Sequence, residues 1–281
     1  MKKENFNCAV ILLSGFPNAG KSTLLNCILK EKISIVSHKV QTTKDKISGV
    51  MNVDNTQLIF TDTPGITKKT KFLDKKISRS LLNMEEIVDF NLFIFDITNS
   101  IKKETLGQII NIVRSFKNNY LVLNKVDLVK KDRLLTSSKK INSEIKFLKT
   151  FMISAKKNKG IKYLVKTLIE NAPTRPWKYS RTIKTDKSMS FRISEITREK
   201  VFQLLNKELP YSIKINSKID RSKKIIRIYQ EIFVIKDSQK SIIIGKNAEK
   251  IKMIGTRARD DIQKLLKRKV YLDLIVKKRR N

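Results

Sequence analysis

The chain has 281 residues, too many for one small core and enough for one large domain or two of ordinary size. Hydrophobic residues make up 40% and charged residues 31%, a globular balance that excludes a disordered or membrane-embedded chain. The net charge of +35 favours polyanions such as RNA, DNA or anionic lipid, although abundant Lys, Ile and Asn of the kind an AT-rich genome produces accounts for part of it.

The N-terminal stretch MKKENFNCAVILLSGF mimics a signal peptide, but its apolar run is short and flows into a glycine motif, so it reads as a first β-strand. Cys8 and Cys27 come with no CxxC pair and no histidine cluster, which argues against a disulfide framework or a zinc site and for reduced, cytoplasmic thiols. Immediately after the strand, GFPNAGKS at 15–22 fits GxxxxGKS in full and precedes a helix-length segment, KSTLLNCILK. Gly15 and Gly20 let consecutive amide N–H groups of Asn18, Ala19, Gly20, Lys21, Ser22 and Thr23 curl round a phosphate at the positive end of the helix. Lys21 reaches the β and γ phosphates, and Ser22 offers a hydroxyl oxygen to Mg2+. The bland alternative is a glycine turn beside a surface lysine.

The next strand, QLIFT, ends in DTPG at 62–65. Asp62 is placed to hold Mg2+ through water, and Gly65 to offer an N–H to a γ-phosphate. DFNLFIFDI is a further strand, KETLGQIINIVRSF a helix, and NYLVL a strand that runs into NKVD at 124–127. The carboxylate of Asp127 can accept from both N1–H and the 2-amino group of guanine, a pair of donors adenine lacks. Asn124 and the stem of Lys125 would brace that loop and cover the ring. After the strand FMISA, the segment SAK (Ser154, Ala155, Lys156) can present the Ala155 N–H to guanine O6. Continuous apolar strands separated by helix-length segments predict a mainly parallel α/β sheet covered on both faces, with ligands at the carboxyl ends of the strands.

The four motifs, in this order and spacing, resemble those of small G proteins of the translation-factor-like class. That resemblance implies a GTP/GDP site, a mobile loop over 33–48, and Thr43, in preference to Thr42, as the hydroxyl that completes the Mg2+ shell. His38 lies in the same loop and reads as exposed. Lys21, Thr43 and Gly65 are the catalytic candidates, but Ile66 follows Gly65 where Ras-like proteins carry a water-orienting glutamine. The activating group then lies elsewhere, comes from a partner, or is a cation. Asn18 carries two readings: it resembles the asparagine with which potassium-dependent G proteins hold K+, and it can equally brace the loop.

A G domain over 1–173 is expected to give way to a linker over 174–187, where prolines and charges lack any period. Residues 188–281 then read as helix, two antiparallel strands (IKINSKID and KIIRIYQEIFVIK), two helices around a loop (SIII, then NAEKIKMIGTRARDDIQKLLK) and a last strand. Residues 180–281 hold 28 Lys and Arg against 11 Asp and Glu, or +17 in 102 residues, while the other 179 carry +18; this tail can neutralise RNA phosphates. The order α, β, β, α, α, β resembles an α+β type II KH domain, whose GxxG loop clamps a nucleic-acid backbone. Here Gly245, Lys246, Asn247 and Ala248 occupy that loop, so alanine replaces the second glycine; a left-handed backbone there would cost roughly 1–2 kcal/mol. Lys250 and Lys252 could offset part of that by charge, and Ile242, Ile243 and Ile244 could line a groove for bases.

KISIVSHKVQTTKDKISG, FRISEITREKVFQLLNKELPYSIKI and IIIGKNAEKIKMIGTRAR followed by YLDLIVK extend the likeness over residues 6–278, where the whole chain resembles the Era family of bacterial GTPases. The resemblance implies a cytoplasmic, monomeric GTPase that binds small-subunit ribosomal RNA near its 3′ end, assists assembly of the small ribosomal subunit and contacts the inner membrane peripherally. A GTP-gated RNA-binding module with negligible intrinsic hydrolysis is the competing reading. A G protein of tRNA modification would need a catalytic cysteine near the C-terminus, which the sequence lacks.

Overall fold

A computed structural model of the chain describes residues 5–34, 47–62, 88–205, 213–222 and 224–279. They fall into two compact units, with the boundary between Asp186 and Lys187. The first unit runs β1 (Asn7–Gly15), α1 (Lys21–Leu29), β2 (Ile47–Val53), β3 (Thr56–Asp62), β4 (Phe90–Asp96), α2 (Lys103–Val113), β5 (Asn119–Asn124), α3 (Lys131–Glu144), β6 (Lys149–Met152) and α4 (Ile161–Glu170). Its six strands lie in the order β2-β3-β1-β4-β5-β6. All neighbours are parallel except β2, which pairs antiparallel with β3.

The continuous apolar runs make sense in this sheet because both faces are covered. On one face Leu24, Leu25 and Ile28 of α1 and Leu164 and Leu168 of α4 pack against Ile11, Leu13, Phe60 and Val122. On the other, Leu106 and Ile109 of α2 and Ile141 of α3 cover Phe93, Phe95, Leu121 and Leu123. The register then gathers the polar punctuation at one edge: Leu13 pairs with Asp62, Gly15 with Ile94, and Asp96 with Asn124.

Two expectations change. The loop expected over 33–48 overlaps β2, which already includes Ile47 and Ser48. The strand was hard to see because Gly49 and Asn52 interrupt it; Gly49 is used where Leu25 and Leu29 of α1 crowd the backbone. The segment expected as a linker is fastened to the first unit over most of its length. Arg175 N–H donates to Phe6 O (2.9 Å), Val50 N–H to Lys184 O (2.8 Å) and Ser48 N–H to the Asp186 carboxylate (3.0 Å). Between them the buried side chain of Gln57 accepts from the N–H groups of Lys178 and Tyr179 (2.9 and 3.0 Å).

The second unit runs α5 (Met189–Leu204), β7 (Lys214–Asp220), β8 (Ile226–Val234), α6 (Asp237–Ile244), α7 (Glu249–Leu266) and β9 (Val270–Lys278), with sheet order β7-β8-β9. β7 is antiparallel and β9 parallel to β8. Alternate residues of β8 face the helices: Ile228 and Ile232 are fully buried, with Ala258 and Ile262 of α7 around the first and Ile243 and Ile254 around the second. A polar chain runs through this interior, from Thr197 to Gln230 (2.6 Å), Gln230 to Ser217 (2.8 Å) and Ser217 to Ser194 (2.6 Å). Each link is satisfied, so the network pins α5 against β7 and β8 in one register. α6 starts earlier than SIII, at Asp237, where the Gln239 side chain accepts from the N–H groups of Ile235 and Lys236 (2.8 and 3.1 Å). No helix among the described residues is long and apolar enough to cross a membrane.

Candidate functional site

The turn between β1 and α1 has the shape of an anion cradle. Gly15 has φ +134° and Gly20 φ +98°, with Asn18 also left-handed at φ 61°. A Cβ at Gly15 would stand 2.2 Å from the carbonyl oxygen of Ile94, so β4 approaches the loop too closely for any side chain. Gly20 caps α1, and Leu24 N–H bonds its carbonyl at 2.8 Å. The ring of Phe16 packs edge-on against Phe93 and Phe95 (centroids 5.8 and 6.2 Å), fastening the far side of the turn.

Lys21 is buried with its ammonium on the carbonyls of Gly15 (3.2 Å) and Phe16 (2.9 Å). Burial lowers its pKa to about 8, against the opposing pull of the Asp62 carboxylate. A buried cation held by neutral carbonyls is poorly compensated, and an anion placed in the cradle would relieve it. Next to it, Ser22 donates its hydroxyl to Asp62 Oδ2 at 2.7 Å, across the 40 residues between them. Asp62 is fully buried at the end of β3.

The other three strand ends meet at Asn124. Its Nδ2 donates to the carbonyl of Ala19 in the glycine turn (2.8 Å), and its Oδ1 accepts from Ala155 N–H in the SAK loop (3.0 Å). A Cβ at Gly20 would strike that Nδ2 at 2.2 Å, which explains the second glycine of the turn as much as its positive φ does. The bracing expected of Asn124 is thus explicit. It also takes up the Ala155 N–H, the group expected to face guanine O6, so a base read there must share or exchange that bond. Lys125 adopts a left-handed backbone (φ 66°) and its ammonium pairs with Asp96 Oδ2 at 2.5 Å. The Ser154 hydroxyl, donating to the exposed Asp127, holds that carboxyl below its usual range, with the Lys157 and Lys156 ammonium groups adding to the effect. Lys156 itself is exposed beside the same loop.

Asp96 was missed at the level of sequence: it is the last residue of β4, next to last in the expected strand DFNLFIFDI. Besides holding Lys125, its Oδ1 accepts from the N–H and hydroxyl of Thr98 (3.0 and 2.7 Å). Thr42, Thr43, His38, Gly65 and Ile66 lie outside the described residues.

In the second unit, α6 ends at Ile244, is capped by Gly245, and a single turn, Lys246–Ala248, leads into α7. Asn247 and Ala248 both adopt left-handed backbones, at φ 49° and φ 60°. The conditional penalty read from the sequence therefore applies: an alanine stands where glycine would be unstrained. Lys246, Lys250 and Lys252 are exposed, and the stem of Lys250 lies over Gly245, where a Cβ would meet its Cγ at 2.8 Å. Of the three isoleucines before the loop, Ile243 is fully buried in the core, while Ile242 and Ile244 are partly buried beside it. Replacing Ala248 by Gly should stabilise the protein by about 1 kcal/mol, read as a higher midpoint in urea. An unchanged or lower midpoint would mean that the turn carries no strain.

Residues 10–125 match a family described as 50S ribosome-binding GTPase, and residues 208–281 match the KH domain family. The chain is 37% identical to GTPase Era of Syntrophus aciditrophicus over 289 aligned positions, covering 100% of this chain and 94% of the relative. It is 39% identical to GTPase Era of Mesorhizobium japonicum over 273 positions, covering 96% and 88%. Among solved structures it is similar to a variant of Aquifex aeolicus Era bound to GDP and AlF4−, at 32% identity and TM-score 0.88, covering 98% of this chain and 95% of that one. A solved Era in complex with MgGDPNP and nucleotides 1506–1542 of 16S ribosomal RNA matches with the same figures: 32%, 0.88, 98% and 95%.

Proposed function

The chain belongs to the Era family of GTPases, and on that premise we propose that GTP binding and hydrolysis in the first unit govern the attachment of the second to small-subunit ribosomal RNA near its 3′ end during assembly of the small ribosomal subunit. The observation that carries the nucleotide reading is the Asn124 junction, which ties the glycine turn to the SAK loop at 2.8 and 3.0 Å and so aligns a phosphate cradle with a base site. In this reading the amide groups of Asn18 to Thr23 and the Lys21 ammonium take the phosphates. Lys125 covers the purine ring, with Asp96 fixing its ammonium, and Asp127 accepts from N1–H and the 2-amino group. The Ser154 hydroxyl bonds the Asp127 carboxylate, and Lys156 adds positive charge at the loop.

The donor set at the phosphate end suits Mg2+, which takes hard oxygen ligands. The Ser22 hydroxyl and the Asp62 carboxylate lie 2.7 Å apart there, with Thr43 proposed as a further hydroxyl. Bound Mg2+ would neutralise charge on the phosphate oxygens. Asn18 as a K+ ligand is tested by the same assay that tests turnover. Single-turnover GTP cleavage is expected to rise on adding small-subunit particles, K+ or both; cleavage that no condition accelerates would contradict the switch role. Replacing Lys21 by Met should weaken GTP binding about a hundredfold by calorimetry, through loss of charge-assisted bonds to phosphate.

For RNA, the turn Gly245–Lys246–Asn247–Ala248 with Lys250 and Lys252 is the proposed backbone clamp, supported by the exposure of Lys246, Asn247, Lys250 and Lys252, its position before α7 and the basic charge of the tail. That binding should fall steeply with salt, as phosphate contacts release counterions. The relative solved with 16S nucleotides 1506–1542 supports the choice of RNA. We further propose a cytoplasmic monomer, and the charge of +35 supports a weaker, salt-sensitive contact with anionic membrane surfaces.

A further inference from the structure

We infer that Ser34, held in place by Asn26, is a positioning residue for the Asp62 carboxylate and hence for the metal and phosphate end of the site; the inference rests on the GTP site proposed above. Ser34 is 1% exposed, and its hydroxyl donates to Asp62 Oδ2 at 2.9 Å. The same oxygen accepts the Ser22 hydroxyl at 2.7 Å, so two serines from different parts of the chain grip one buried carboxylate.

Nothing in the local sequence forces Ser34 to that spot, and Asn26 supplies the reason it is there. The Asn26 Oδ1 accepts from the N–H groups of Ile33 (2.8 Å) and Ser34 (2.9 Å), and its Nδ2 donates to the Ser34 carbonyl (2.7 Å). Three bonds from one side chain therefore fix the peptide groups on both sides of Ser34. Asn26 follows Ser22 by four residues on α1, which stacks the two on one face of the helix a turn apart. One rigid helix thus carries the Ser22 hydroxyl directly and the Ser34 hydroxyl by way of this clamp.

The chemical consequence concerns what happens to Asp62 when Ser22 turns its oxygen towards a cation. A fully buried carboxylate with a loosened donor can rotate about its side-chain torsions, and each orientation presents a different oxygen to the metal. Ser34 is the donor that does not need to move, because Asn26 holds its backbone independently of the site. A hydroxyl donating to an ionised carboxylate makes a charge-assisted, directional bond, which is what keeping one carboxylate orientation requires. A purely structural role, in which the clamp only shapes the end of α1, would alter nucleotide binding equally with and without metal.

The two roles separate in the release rate of a fluorescently labelled GDP from the full chain, measured in excess Mg2+ and again after EDTA. In Ser34→Ala and in Asn26→Ala, release in Mg2+ should quicken about tenfold while release in EDTA stays within about twofold of the parent. Ser34→Thr, which keeps a hydroxyl, should restore retention in Mg2+. Equal acceleration with and without Mg2+, or no change in Ser34→Ala, would overturn the positioning role. A parent protein that fails to retain the labelled GDP under any condition would overturn the GTP site itself, a result distinct from either of these.

Discussion

Asp127→Asn is expected to weaken GTP binding by ~100- to 1,000-fold and to make xanthosine triphosphate the preferred ligand. The carboxylate is placed to accept from two guanine donors, N1–H and the 2-amino group, and an amide can accept from only one of them while turning its NH2 against the other. Xanthine keeps N1–H and replaces the amino group by a carbonyl, so the introduced amide would pair with it completely. The Ser154 hydroxyl that now lowers the Asp127 pKa would lose its charged acceptor, which adds to the loss for GTP. Competitive displacement of a labelled nucleotide by GTP and by xanthosine triphosphate reads the switch, and undiminished guanine preference would refute this residue as the base contact.

Asn124→Ala should damage stability and binding together. Removing the side chain strands the Ala19 carbonyl and the Ala155 N–H, both on buried residues, at a cost of about 2–4 kcal/mol for the pair. For a domain of this size that corresponds to a fall in Tm of ~5–15 °C. Nucleotide affinity should fall further than stability predicts, because the glycine turn and the SAK loop lose their common anchor. Asn124→Asp keeps the acceptor for Ala155 and loses the donor for Ala19, and should fall between the two. A variant that melts like the parent would show that the junction bears no load in solution.

The parts of the molecule that could be read from sequence are those whose chemistry is local. A run such as CAVILLSG followed by GKS announces a buried strand, a turn and a helix because all three constraints act within a dozen or so residues. The same holds for the strand ends at Asp62 and Asn124. β2 escaped because its glycine and asparagine answer to α1 and to the strap along its edge rather than to strand propensity. The strap itself read as a linker for a related reason. Its order comes from side chains elsewhere, above all Gln57, and from single backbone bonds, so it carries no period of its own. Asp96, Asn26 and Ser34 belong to the site only through partners 29, 8 and 28 residues away, a separation that no single-sequence pattern encodes. In the second unit the order of elements was plain from alternation in β8 and the helical period of α7. The left-handed Ala248 was legible only as a condition, since a turn is needed to say which residue must adopt it.

Selection of guanine nucleotides is proposed to need both the cradle between β1 and α1 and the carboxylate of Asp127. Its most direct test is equilibrium titration of the purified chain with a labelled GDP in Mg2+, followed by displacement with unlabelled nucleotides. Saturable one-to-one binding is expected, displaced by GTP and GDP and left intact by ATP at about a thousandfold excess. Displacement by ATP as readily as by GTP, or no saturable binding at all, would contradict it.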